Sequence, residues 1–116
     1  MKPEYITHND LNIVGTGLAG YIEADYFRLV RAFGEPADGM DDGKTDAIWT
    51  ILFTPKKLAY IYNWKDGKNY LGEKGKAIDE ITLWNVGAKQ QEVMRLVAEI
   101  LDLKPEGLRF GFPLYK

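Results

Sequence analysis

Residues 15–25 read Gly15-Thr16-Gly17-Leu18-Ala19-Gly20-Tyr21-Ile22-Glu23-Ala24-Asp25, and the choice of fold turns on them. The first six spell G-x-G-x-x-G, the glycine fingerprint of dinucleotide-binding βαβ folds. There a strand runs into the glycines and a helix opens at once onto the pyrophosphate. Here the glycines are followed by Tyr-Ile-Glu-Ala, which favours continued strand, and the first helix signal comes only at Asp25. That helix starts too late to serve a phosphate on the glycines, and its cap is an acid that would repel one. No βαβ unit follows. The stretch from Leu11 to Ala24 therefore reads as a strand, bent or bulged at its glycines. The amides around Gly15 and Gly17 remain candidates for lining a ligand pocket, because glycine lets a ligand approach the backbone closely.

Outward from this strand the local signals are clear. Asp25 caps a helix whose apolar stripe is Tyr26, Leu29, Val30 and Phe33, and Gly34 and Pro36 end it. Ala37 to Gly43 is a polar loop. Lys44 to Phe53 is a strand with Ile48, Thr50 and Leu52 on one face and Trp49, Ile51 and Phe53 on the other, which places it centrally in a sheet. The Thr54–Lys57 connection is short enough for a hairpin. It leads into a strand that sets Leu58, Tyr60, Tyr62 and Trp64 on one face. A lysine- and glycine-rich loop runs to Lys76 and a further strand covers Glu80 to Val86. Val93, Met94, Val97, Ile100 and Leu101 then recur at helical spacing before Pro105. The final residues alternate Leu108, Phe110, Phe112 and Leu114, so 104–116 reads as an edge strand or an oligomerisation arm. The expected fold is a single α+β domain spanning 1–116, in the order β-α-β-β-β-α-β. It has an antiparallel sheet of four to five strands and two helices on one face.

Composition narrows the function classes. The chain has 116 residues, 46% hydrophobic and 28% charged, enough for one packed core. It lacks cysteine, which excludes disulfides, thiol catalysis and thiolate metal sites. A formal charge of −2 gives no strong sign of DNA or RNA binding. The opening residues show no apolar leader and no window resembles a membrane span, so a cytoplasmic protein is expected. His8 is the one histidine and reads as a surface residue. Glu23 and Asp25 lie two apart, but capping accounts for Asp25. Asp38, Asp41 and Asp42 make an acidic loop without EF-hand spacing. Nothing in this inventory argues for an enzyme, a metal or a cofactor.

The richest chemistry lies in Tyr60 to Tyr70, "YIYNWKDGKNY". Aromatic faces stack on bases, lysines neutralise phosphates, and asparagine amides read polar edges. Lys65, Lys68, Lys74 and Lys76 cluster here, and Trp84-Asn85 repeats the aromatic–amide pairing on a later strand. Trp64 and Trp84 read either as stacking residues or as core. Asn63, inside an apolar run, needs partners if buried. The expected ligand-binding set is Tyr62, Asn63, Trp64, Lys65, Lys68, Trp84, Asn85, Gly15 and Gly17, with no catalytic residues.

"DLNIVGTGLAGYIEADYFRLVRAFGEP", "AYIYNWKDG" and "ITLWNVG" together resemble a family of small uncharacterised bacteriophage proteins. In that family G-T-x-L-x-G-Y, F-G-x-P, I-Y-N-W-K and W-x-I-G segments recur in this order. The resemblance covers about Asp10 to Leu103. Relatives tend to carry Ser at the position of Gly17, and W-H-I-G-G where this chain has Trp84-Asn85-Val86-Gly87-Ala88. The resemblance implies a phage protein acting in the host cytoplasm and brings no activity with it. By analogy with other small phage proteins, three readings stand. The first is a homo-oligomeric sponge for a small nucleotide-type immune signal. The others are a protein–protein inhibitor of a host defence protein or complex, of anti-CRISPR or anti-restriction type, and a small virion or assembly protein.

Overall fold

From Gly17 onward the glycine stretch is a bulged strand. The computed structural model describes residues 3–7, 16–38, 44–53, 57–104 and 108–110. Within them β2 (Gly17–Glu23) pairs antiparallel with β6 (Leu83–Ala88), Leu18 opposite Gly87 and Gly20 opposite Val86, so Ala19 is the extra residue of a bulge. The carbonyl of Ala19 accepts a 3.1 Å hydrogen bond from Gln91 Nε2, which keeps the polar group of the kink paired. Helix α1 (Tyr26–Phe33) starts where its cap predicts: the Asp25 carboxylate accepts the Phe27 N–H at 3.2 Å. Gly34, at φ +82°, ends it by donating its N–H to the Val30 carbonyl.

The sheet is entirely antiparallel. Its other strands are β1 (Tyr5–Thr7), β3 (Ala37–Asp38), β4 (Ala47–Phe53), β5 (Lys57–Tyr62) and β7 (Leu108–Phe110), in spatial order β1-β4-β5-β6-β2-β7. The two-residue β3 also pairs with β4, alongside Ala47 and Ile48. Four strands are long, as the sequence pattern predicts. The short β1 and β3 were not expected, because two or three residues carry too little periodicity to be read. β7 forms the sheet edge on β2, with Arg109 in register with Tyr21.

One face of this sheet carries both longer helices. Leu29 and Phe33 of α1, with Val93, Met94, Val97, Ile100 and Leu101 of α3 (Val93–Leu101), join Ala47, Trp49, Ile51, Phe53, Ile61, Trp84 and Val86 in one buried cluster. Trp49 and Trp84 meet edge to face at 5.3 Å. Each indole N–H is paired with a backbone carbonyl, Trp49 with Gly34 at 2.7 Å and Trp84 with Ala24 at 3.0 Å. The second long helix, α3, begins at Val93, where its apolar pattern begins. It stops at Asp102, whose left-handed φ of 55° turns the chain so that the Leu103 N–H reaches back to the Ala98 carbonyl at 3.0 Å. The result is a single α+β domain with a two-layer build, and among the described residues no helix is long and apolar enough to cross a membrane.

The lysine-rich loop has structure of its own. It contains a one-turn helix, α2 (Lys68–Leu71), and two 3₁₀ turns, Gly72–Lys74 and Ile78–Glu80. Gly67 bridges to Lys76, and Lys76 N–H donates to the Asp66 carbonyl. The loop is thus tied at its base, where a side chain on Gly75 would run into the Gly67 carbonyl.

Candidate functional site

On the sheet face opposite the helices, alternate residues of β5 and the two that follow it form an aromatic row. Tyr60 and Tyr62 stack at 4.9 Å and 13°, and Trp64 meets Tyr62 edge to face at 6.3 Å and 88°. Tyr60 lies across Gly87 of β6, and its ring occupies the space a Cβ there would fill. Tyr62 pairs in register with Asn85, which in turn pairs with Tyr21 on β2, so one row crosses three strands. Burial pushes the Tyr62 hydroxyl up to about 12; its hydrogen bond with Asn85 acts the other way, and the Tyr60 and Tyr21 hydroxyls push it further up. At neutral pH this phenol stays protonated. It offers hydrogen bonding, not a base or nucleophile.

At the end of the row Trp64 is 41% exposed. The Lys44 ammonium stands 5.5 Å from its ring centroid and the Lys65 ammonium 5.7 Å. Lys65 also lies 5.5 Å from the centroid of Tyr70, which is 48% exposed on α2. Lys65 adopts a left-handed φ of 63°, uncommon for a residue with a side chain, and its N–H donates to the Lys44 carbonyl at 2.8 Å. One backbone bond therefore joins the two lysine carriers.

Asn63 holds this arrangement in place. It is fully buried, and its Oδ1 accepts from the N–H groups of Asp46 (2.7 Å) and Ala47 (3.1 Å). Its Nδ2 donates to Asp46 Oδ1 (2.9 Å) and Asp66 Oδ1 (3.0 Å). Asp46 Oδ2 then accepts the Asn69 N–H at 3.1 Å, and Asn69 Nδ2 donates to the Thr45 carbonyl at 2.9 Å. Gly67 packs directly on the Asp46 carboxylate, where any side chain would collide. The network fastens β4, the end of β5 and α2 to one another.

The predicted site residues therefore separate. Tyr62, Asn85, Trp64 and Lys65 come together along one face. Trp84 is corrected to the core: it is fully buried, its indole N–H is used, and no ligand can stack on it. Asn63 is corrected to a scaffold residue, since all its hydrogen-bonding groups are occupied within the protein. Lys68 is exposed at the start of α2, and it is Lys44 and Lys65 that stand over Trp64. Gly17 lies opposite Ala88, level with Ala59. Trp64 is five residues further along, roughly 17 Å at strand spacing, so Gly17 is not part of the Trp64 surface. Gly15, His8, Asp41 and Asp42 lie outside the described residues, as do Phe112 and Leu114.

Tyr21 and Lys44 were not singled out from sequence, and Tyr70, which ends the aromatic stretch read there, was not in the expected ligand-binding set. The signal for Lys44 was hairpin arithmetic. Pairing of Phe53 with Lys57 and of Ile48 with Tyr62 carries the chain before β4 alongside Trp64. On the helix-bearing side, a groove of about 290 Å³ is lined by Arg28, Arg31, Ala32, Ile100, Leu101 and Asp102, with Arg28 donating to the Asp102 carbonyl at 3.0 Å. Among the described residues no cluster of acids or histidines could hold a metal ion. No protein-family model matches the chain, and no curated protein matches it.

Proposed function

We propose that the chain is a non-enzymatic binding protein that captures a small nucleotide-type ligand on the face of Trp64. It acts as a phage-encoded, homo-oligomeric sponge for an immune signal in the host cytoplasm. One observation carries the reading: a half-exposed indole is flanked by two lysine ammoniums at 5.5 and 5.7 Å. A base stacks on such a ring regardless of its sequence identity, and the ammoniums supply point charges for its phosphates. Tyr62 is buried and its hydroxyl is bonded to Asn85, so these two back the Trp64 ring instead of lining the ligand surface.

A thermal-shift panel of linear, cyclic and ADP-ribose-derived nucleotides tests this. A ligand at 100 times its Kd adds about 2.7 kcal/mol, several degrees for a domain of this size. The expected result is a clear shift with one class that Trp64→Ala removes while the far-UV circular dichroism stays unchanged. A flat panel with folded protein rejects the reading. The second reading, inhibition of a host defence protein, draws on the exposed Tyr70 and Leu71 beside the lysines. Aromatic anchors of this kind serve as hot spots in protein interfaces. Co-purification of one host protein, lost in Tyr70→Ala, would favour it.

A further inference from the structure

Trp64 and Tyr70 present two separate exposed rings, and the Lys65 ammonium is within cation–π range of both. The two centroids are therefore at most about 11 Å apart, and a planar ring held between two others needs about 7 Å, twice a ~3.5 Å carbon contact. The walls are fixed independently of the lysine side chain. Trp64 follows the buried Asn63, and Tyr70 follows Asn69, which is anchored to Asp46 and Thr45. Asn63 and Asn69 both hold the same Asp46 carboxylate, so spacing between the rings is set by the scaffold beneath them. The occupant is fixed only at its backbone, by the left-handed φ and the bond to Lys44. Its side chain is a flexible stem with a well-hydrated charge, and at an exposed site such a contact is weaker than base stacking.

We infer that Trp64 and Tyr70 are the two walls of a slot for one planar base. The Lys65 ammonium is its displaceable occupant and, once displaced, joins Lys44 in neutralising the phosphates of the same ligand. This rests on the nucleotide reading above and narrows it: the ligand carries an aromatic base sandwiched on both faces and at least two negative charges. A bare nucleoside must displace the lysine with nothing to receive it, so it binds poorly. A nucleoside diphosphate gives the ammonium a new partner.

Calorimetric titration of the intact chain with the four common ribonucleosides and their 5′-diphosphates tests the slot, with circular dichroism confirming that each variant is folded. For the diphosphate that binds best, Tyr70→Ala should weaken binding about tenfold and Tyr70→Phe should leave it within about twofold. Lys65→Ala should move the two ligand types in opposite directions, the nucleoside at least about threefold tighter and the diphosphate at least about threefold weaker. If Trp64→Ala abolishes diphosphate binding while Tyr70→Ala leaves it intact, the slot is wrong and a one-sided nucleotide platform remains. Nucleoside affinity that does not rise in Lys65→Ala overturns the lysine as occupant. If no diphosphate binds the unaltered chain, the slot is overturned, and the nucleotide reading falls with it only where the thermal-shift panel is flat as well.

Discussion

The two faces of the sheet come from the same strands and are finished differently. The helix-bearing face is closed: Trp49 and Trp84 interlock edge to face, their indole N–H groups are paired with carbonyls, and apolar side chains of α1 and α3 fill the rest. The opposite face is a row of buried tyrosines ending in a half-exposed tryptophan, with the Tyr62 hydroxyl bonded to Asn85. One residue type thus does two jobs. Trp84 is buried packing volume, and Trp64 is exposed π-surface held by a polar scaffold. Chemistry at this site need not disturb the core, because the strands separate the two.

The largest effect expected from this division is in Trp84→Ala. Emptying a fully buried indole should cost about 3–5 kcal/mol in urea unfolding, enough to threaten a domain of this size. A loss below about 1 kcal/mol would erase the contrast between the faces. Next comes Gly87→Ala, whose methyl must displace the Tyr60 ring; a cost of about 1–3 kcal/mol is expected. Combining it with Tyr60→Ala should recover part of that loss, and strict additivity would show that ring and glycine are not in contact.

Tyr62→Phe is a smaller change, about 1 kcal/mol at neutral pH for a lost hydrogen bond. Its signature is in alkali. The folded-state value of about 12 lies above the ordinary 10, so the folded protein holds this proton more tightly than the unfolded chain. The stabilisation is complete below pH 10 and is lost as pH rises from 10 through 12. The variant should therefore show a flatter decline in stability over that window. Tyr26, also raised by burial and then by Glu35 and Asp79, would contribute to the slope that remains. An unchanged alkaline profile would refute the assignment. The smallest effect belongs to Trp64→Ala, below about 1 kcal/mol, since two-fifths of the residue is exposed. A loss as large as that of Trp84→Ala would mean that the open face carries the fold as well.

Much of the fold was legible because strong local signals coincide. The Asp25 cap, the stripe to Phe33 and Gly34 bound α1 as predicted, and the two-sided apolar pattern of 47–53 placed β4 inside the sheet. The glycine stretch read correctly as a bulged strand because the residues after it favour strand. The site was legible only in part. Tyr62 and Trp64 share a face by period two, but strands apolar on both sides do not show which face the helices cover. Trp84 and Trp64 were therefore indistinguishable in sequence. Asn63 signalled that it needed partners without saying that Asp46 and Asp66 were those partners. Tyr70 sits on a one-turn helix too short for any pattern, and Lys44 reaches the site through pairing across a hairpin.

The strand order also dictates how the chain must assemble. The β4–β5 hairpin closes locally, and β6 adds to it after the tied loop. β2 then has to find β6 across more than half of the sequence, joining residue 23 to residue 83 and residue 17 to residue 88. β1 likewise reaches β4 by pairing residue 5 with residue 53. Closing such long loops before any contact rewards them slows folding towards the millisecond-to-second range of non-local sheets. β2 is synthesised long before either of its partners, β6 and β7, and until they arrive its edges stand bare, so during synthesis it is the strand most exposed to pairing with another nascent chain.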